Sequence, residues 1–106
     1  GSDWTVAPLN PVTGIYAAVT RRTRDEKNPH GWYPNEKISV EDALRSYTIN
    51  NAYAAFWENK TGTITAGKYA DFAVHSVNFL TATPKEILHS KVLRTVVAGK
   101  DYIFEK

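Results

Sequence analysis

The sequence predicts an α+β fold in which helices come first and strands follow. Up to about residue 59, apolar residues recur at helical spacing. From residue 60 onward, short apolar stretches alternate with polar residues and are separated by glycines. The 106 residues suffice for a single core, and 42% hydrophobic with 23% charged residues is typical of a folded chain.

The first predicted helix begins at Asn10 and Pro11, because Asn caps free backbone N–H groups and Pro suits the first helical turn. Its apolar face would consist of Val12, Ile15, Tyr16 and Val19. Gly14 weakens this helix, but the pattern continues to about Arg22. A long loop rich in Pro and Gly is predicted for residues 23–37.

Two more helices are predicted before the pattern changes. Ser39 and the acidic Asp42 have the spacing of a capping box. The buried face of this second helix would consist of Val40, Ala43, Leu44 and Tyr47. Asn50 is predicted to cap a short third helix that runs through Phe56 and ends before Gly62.

The second half of the chain has strand signals around one short helix. Residues 70–75 alternate between apolar and polar positions, with His75 on the polar side. Thr83, followed by Pro and an acidic residue, predicts a capped helix. Residues 92–97 and 101–104 flank a turn that contains Gly, which predicts a hairpin.

About three strands are too few to close a sandwich or a barrel, and a small sheet leaves unpaired edges. Either the helices cover this sheet or a segment from outside the chain does, and the second alternative is favoured. Unpaired edges also predict that the chain by itself associates with further copies.

Charge and composition favour no polyanionic partner. The formal net charge is +2, and the basic run 21–24 is interrupted at once by Asp25 and Glu26. Basic residues at the end of a helix complement its dipole, so we interpret this run as a helix end and predict no nucleic-acid partner. The sequence has no Cys, no apolar run of membrane-spanning length and no signal-peptide pattern, which together predict a cytoplasmic protein without a membrane partner.

Residue chemistry alone gives no complete active site. The three His residues, at 30, 75 and 89, lack the spacing of metal ligands, and structural roles are favoured for each. There is no phosphate-binding glycine loop and no nucleophile elbow. Asp3 is chemically capable, but a carboxylate beside a chain end is more often a cap or a solvated tail, and Gly1 and Ser2 could be a cloning remnant.

Several stretches together resemble the C-terminal end of metal-dependent amidohydrolases, in the branch that includes N-substituted formamide deformylases. The stretches that carry the resemblance are Gly-Ser-Asp-Trp at 1–4, Trp-Tyr-Pro at 32–34 running on to 38–44, Tyr-Thr-Ile-Asn-Asn-Ala-Tyr-Ala at 47–54, and Gly-Thr-Ile with Gly-Lys-Tyr-Ala-Asp-Phe within 62–72. The last of these stretches is widespread among amidohydrolases, whereas the first and third stretches indicate this particular branch. The opening motif also argues against a cloning remnant.

The resemblance implies a role for Asp3 as the aspartate at the end of the last strand of a TIM barrel. There it would bind a divalent metal ion, expected to be zinc, and accept a proton from the attacking water. The substrate would be a small amide-type molecule. The sequence departs from the family pattern at two places. Thr5 stands where the family commonly has Pro, and the stretch 74–76 stands where an Asp often follows the strand. Neither departure affects the role that the resemblance implies for Asp3.

The resemblance also implies a division of the chain. Residues 1–59 would be the barrel's last strand end and outer helices, and residues 60–106 part of a small β-sandwich domain. The remaining metal ligands and strands would lie upstream, so the chain alone is expected to be inactive and to expose Ile15, Tyr16 and Val19. This uncovered helix face is a second reason, besides the unpaired strand edges, to expect association of the chain. The alternative is a freestanding interaction module that binds through the loop at 32–33 or through a sheet edge.

Overall fold

The computed structural model describes residues 2–103, which form four α-helices, one short 3-10 helix and a three-stranded sheet. In chain order the elements are α1 (Pro11–Thr20), the 3-10 helix (Pro34–Glu36), α2 (Val40–Tyr47), α3 (Ile49–Ala54), β1 (Phe72–His75), α4 (Pro84–Leu88), β2 (Val92–Val97) and β3 (Lys100–Ile103). The sheet is antiparallel with strand order β1-β2-β3, which confirms the α+β class. Within residues 2–103, none of the helices has the length and apolar character needed to cross a bilayer.

Helix α1 has the predicted start and ends slightly earlier than predicted. The Asn10 side chain accepts a hydrogen bond from the backbone N–H of Val12 at 3.0 Å. The helix stops at Thr20 because Arg21 adopts a left-handed conformation, with φ 58°, and its N–H donates to the carbonyl of Ala17 at 2.7 Å.

Helix α2 runs almost directly into α3, which makes the predicted Asn50 cap wrong. At the start of α2, Ser39 Oγ accepts from the N–H of Asp42 at 3.0 Å, and its hydroxyl lies 2.6 Å from the Asp42 carboxylate. The carboxylate therefore does not return to the Ser39 backbone, and only half of the capping box forms. Thr48 alone separates the two helices, so α3 already begins at Ile49 and no position is left for a cap at Asn50.

Helix α3 is shorter and less buried than predicted. It ends at Ala54; Ala52 is buried, but Phe56 is 91% exposed. Gly62 then passes close to the helix with φ 90°. A Cβ atom at this position would lie 2.9 Å from the Cα of Ile49 and 2.8 Å from the Cβ of Ala52. Only Gly provides both this backbone conformation and this close approach.

The core lies between α1, α2, α4 and the loop before α4. Its buried members are Val12, Ile15, Ala43, Phe79 and Ile87. Ile15 and Tyr16 are 3% and 1% exposed, so the expectation that this face of α1 is uncovered is wrong, and Val19 is also partly buried against the core. The reason is that α4 and Phe79 cover the face from within the same chain. Gly14 contributes to α1–α2 packing, because a Cβ there would overlap the hydroxyl of Tyr47.

An irregularity in β1 explains why His75 does not lie on the polar side of the strand as predicted. The pairing of β1 with β2 shifts between Val74 and His75. The His75 ring is half-buried, with its centroid 4.6 Å from that of Phe79. Burial lowers the pKa of His75 below its usual value.

The predicted hairpin is present as β2 and β3. Ala98 and Gly99 both have positive φ, at 49° and 76°, as a two-residue turn of this kind requires. Across the hairpin, Arg94 and Asp101 form an ion pair at 2.6 Å. The predicted end of the last strand, Phe104, lies outside the described residues.

Candidate functional site

Asp3 lies at the beginning of a tight turn and presents its side chain to solvent. Its backbone carbonyl accepts from the N–H groups of Val6 at 2.7 Å and Ala7 at 3.3 Å, and its φ is 52°. Among residues 2–103 the Asp3 carboxylate has no hydrogen-bond or ion-pair partner. The turn therefore positions the backbone and leaves both carboxylate oxygens available to accept hydrogen bonds or coordinate a cation.

Asp3 has no fellow ligands in the described part of the chain. Within residues 2–103, no group of three or more His, Asp or Glu side chains converges as a metal site requires. The histidines have separate surroundings. His30 lies in an exposed loop, His75 packs on Phe79, and Nδ1 of His89 lies 2.8 Å from the carbonyl of Lys85. The donor set thus fits one ligand of a metal site and not a whole site.

A groove of about 690 Å³ lies directly beside the Asp3 turn. Ser2, the stretch 7–8 and the loop residues 22–25 line it. Tyr47 of α2 and Thr13, Gly14 and Ala17 of α1 also line it. Sequence reasoning assigned the basic run to a helix end and missed this groove; the adjacent arginines were the signal that could have indicated it.

The first arginine of that run contacts the loop at 32–33. Arg21 Nε donates to the carbonyl of Trp32 at 3.0 Å, and the N–H of Trp32 donates back to the Arg21 carbonyl at 2.8 Å. The guanidinium carbon also lies 5.5 Å from the Trp32 ring centroid. Trp32 and Tyr33 remain exposed and meet edge to face at 4.6 Å.

Asp71, in the Gly-Lys-Tyr-Ala-Asp stretch, has a structural role. One of its carboxylate oxygens accepts from the N–H of Ala98 at 2.7 Å, and the other from the hydroxyl of Thr61 at 3.1 Å. The N–H of Tyr69 donates to the carbonyl of Lys60 at 2.8 Å. These bonds tie the loop before β1 to the hairpin turn, so this stretch supplies no candidate for the chemistry.

Comparison with known sequences gives one family. The sequence model described as "Amidohydrolase family" matches residues 1–101. The chain is 44% identical over 100 residues to Protein LONG AFTER FAR-RED 3 of Arabidopsis thaliana, covering 94% of the chain and 17% of that protein. It is 31% identical over 106 residues to the putative amidohydrolase YtcJ of Bacillus subtilis (strain 168), covering 100% of the chain and 20% of that protein.

A third relative is the N-substituted formamide deformylase of Arthrobacter pascens, with 33% identity over 98 residues, 92% of the chain and 18% of the enzyme. The chain thus spans between 17% and 20% of the length of these curated relatives. No solved structure matches the chain significantly.

Proposed function

The chain belongs to the amidohydrolase family, and from that membership we propose that it is part of a metal-dependent hydrolase acting on carbon–nitrogen bonds other than peptide bonds. The observation that carries the proposal is the family match over residues 1–101. The name of the deformylase relative supports a small amide-type substrate.

The architecture we propose for the whole protein is a TIM barrel with a small β-sandwich domain. Residues 1–59 would contribute the end of the last barrel strand and outer helices, and residues 60–106 would contribute strands to the sandwich. The order of elements supports this division, since α1, α2 and α3 precede residue 60 and all three described strands follow it. The partner of the chain would then be the N-terminal part of the same protein.

Asp3 is our candidate for metal ligand and proton acceptor. Its exposed carboxylate, without a partner among residues 2–103, supports this role, and further ligands would come from the rest of the protein. A divalent ion, with zinc as the expected one, would supply Lewis acidity and lower the pKa of a water molecule. The Asp3 carboxylate would accept the water proton and pass it to the leaving nitrogen. Active sites of barrels lie at the C-terminal ends of strands, and in the proposed architecture the Asp3 turn would directly follow the last barrel strand.

Replacement of Asp3 in the intact protein tests this proposal. Asp3→Asn keeps the size of the side chain but removes its charge and its capacity to accept a proton. We expect loss of at least about two orders of magnitude in kcat on N-substituted formamides and other simple amides, and a lower content of bound metal. Glu41→Gln is the matched control, because Glu41 is exposed on α2 and far along the chain from the Asp3 turn. Equal activity and metal content in the wild-type protein and the Asp3→Asn variant would contradict the assignment.

By the same reasoning, the 106-residue chain alone would not hydrolyse amides, because one carboxylate cannot hold a metal ion in a closed site. A rate above that of the metal alone, abolished by Asp3→Ala, would overturn this expectation.

The alternative function is an interaction module derived from a hydrolase. The observation that favours it is the exposure of the aromatic pair, with Trp32 67% and Tyr33 64% exposed. Exposed aromatic side chains are common anchors of protein interfaces. An active intact protein that loses activity in Asp3→Asn while keeping its fold supports the hydrolase. An intact protein without amide hydrolysis supports the module.

A further inference from the structure

The groove beside the Asp3 turn contains two cationic side chains that have no ion-pair or hydrogen-bond partner in the described part of the protein. Arg22 and Arg24 both line it, and neither forms an ion pair within residues 2–103. Neither side chain donates a hydrogen bond to another group there, in contrast with Arg21, whose guanidinium is taken up by Trp32.

Hydrogen bonding to the end of α1 does not account for these two arginines. A cation that caps a helix donates hydrogen bonds to its last carbonyls, and within residues 2–103 the side chains of Arg22 and Arg24 donate none. Three carbonyls near this end accept from other donors, namely Tyr16 O from Thr20 Oγ1 at 2.7 Å, Ala17 O from Arg21 N at 2.7 Å, and Ala18 O from Ile38 N at 3.3 Å. The guanidinium groups of Arg22 and Arg24 are therefore free for an acceptor that the described chain does not provide.

Arg22 gives the strongest evidence for a hydrogen-bond acceptor from outside the described residues. Its Nε is buried and has no hydrogen-bond partner among residues 2–103. A buried donor on a charged group carries a desolvation cost that an acceptor would remove. The same side chain lines both the large groove and the adjacent groove of about 420 Å³ next to Trp32.

The carboxylate of Asp25 also lines the groove but is engaged in its own loop. It accepts from the hydroxyl of Thr23 at 2.6 Å and from the N–H of Lys27 at 3.3 Å, and the Lys27 ammonium lies 3.5 Å away. These groups hold the pKa of Asp25 below its usual value, with the Thr23 hydroxyl as the main cause. Since Lys27 balances the charge of Asp25, the groove keeps the positive charge of its two arginines.

We propose that this groove binds a small organic anion. Its carboxylate or phosphate group accepts hydrogen bonds from Arg22 and Arg24, because a guanidinium matches the geometry of both groups. Its apolar portion lies against Ala7, Pro8 and Ala17, which line the same groove. This binding site is independent of hydrolysis, so it stands whether or not Asp3 serves a metal ion.

The test is calorimetric titration of the intact protein with three ligands of similar shape: benzoate, phenyl phosphate and the neutral benzyl alcohol, which has no amide bond to hydrolyse. We expect one or both anions to bind at least about tenfold more tightly than benzyl alcohol, the factor that one charge-assisted hydrogen bond provides. The preferred anion identifies the head group. Binding should weaken as the salt concentration rises.

Single charge-removing variants localise the binding. Arg22→Gln and Arg24→Gln should each weaken binding of the preferred anion by about tenfold. Arg45→Gln, an equal charge change on the exposed surface of α2, should leave it unchanged. Arg24 is exposed, so its replacement leaves the fold intact even where Arg22→Gln does not.

Three results would overturn the proposal: no binding of either anion, equal affinity for benzyl alcohol, or equal weakening by Arg24→Gln and Arg45→Gln. Amide hydrolysis by the same samples is measured separately. Its loss or retention reports on the proposed function and not on the anion site.

Discussion

Single residues with special backbone or hydrogen-bonding roles hold the second half of the chain in place. Gly62 and Gly67 both have φ 90°, yet their surroundings differ. A Cβ on Gly62 would meet α3 at less than 3 Å, whereas none of the described atoms lies within 4 Å of one on Gly67. A side chain at Gly67 would therefore meet only the cost of a positive φ, whereas a side chain at Gly62 would also meet a steric clash.

Replacement of these glycines by Ala should have unequal effects. Gly67→Ala should lower the free energy of unfolding by about 1 kcal/mol, the cost of the left-handed backbone alone. Gly62→Ala should cost at least about 2 kcal/mol more, because backbone or side chains of α3 must shift. Urea denaturation followed by circular dichroism measures both. Similar losses of unfolding free energy for the two variants would mean that α3 can shift to accommodate the added methyl group without an energetic cost.

Asp71 carries the second prediction at this scale. Asp71→Ala removes the acceptors for the Ala98 N–H and the Thr61 hydroxyl and should lower stability by about 1 kcal/mol. Asp71→Asn keeps one acceptor oxygen and should lose less. Urea denaturation distinguishes the two, and a more stable Asp71→Ala variant would refute the structural role.

Sequence patterns predicted helices and turns where the signal is local. The caps at Asn10 and Thr83 are as predicted, and the predicted hairpin turn forms at Ala98 and Gly99, with Lys100 already in β3, because each depends on residues only a few positions apart. The Asn50 cap and the position of His75 were wrong. Both depend on how neighbouring elements join, namely the single-residue junction between α2 and α3 and the shift in pairing of β1 with β2.

The capping box of α4 predicts a dependence of stability on pH. Glu86 accepts from the N–H and the hydroxyl of Thr83, both at 2.7 Å, and these bonds lower its pKa below the usual 4.5. A lowered pKa in the folded state means that the ionised carboxylate stabilises the protein above pH 4.5, and that this contribution is lost as the pH falls through the lowered pKa.

The matched comparison for this prediction is Glu86→Gln. Urea midpoints of the wild-type and Glu86→Gln proteins should differ at pH 7 and converge towards pH 3, because protonation removes the ionised form that the Gln variant lacks at every pH. A difference that stays constant over this range would show that the charge of Glu86 does not contribute.

The whole molecule was the hardest scale to predict. Residues of α4 and its preceding loop cover α1, which removes one of the two reasons for expecting association of the chain. The other reason, the unpaired edge, remains within residues 2–103, since β3 pairs only with β2 and carries the exposed Tyr102 and Ile103. A barrel or a sandwich could not be inferred from residue spacing, because the chain spans at most 20% of the relatives' length.

The edge of the sheet yields the prediction at this scale. The 106-residue chain alone should associate as its concentration rises, and Ile103→Lys should shift it towards the mass of one chain by placing a charge on the edge strand. Leu80→Lys is the matched control, because Leu80 is equally exposed but lies in a loop. Light scattering over a dilution series measures the change. A single-chain mass at every concentration would contradict association through this edge.

Because α4 packs on α1, the apolar face of α1 cannot be covered until α4 has been synthesised. Val12 and Ile15 leave the ribosome some 70 residues before their partner Ile87. Closing so long a loop is entropically costly and precedes the gain from burial. The apolar face of α1 is therefore without its native cover while these residues are synthesised, which is the period when a chaperone would protect it.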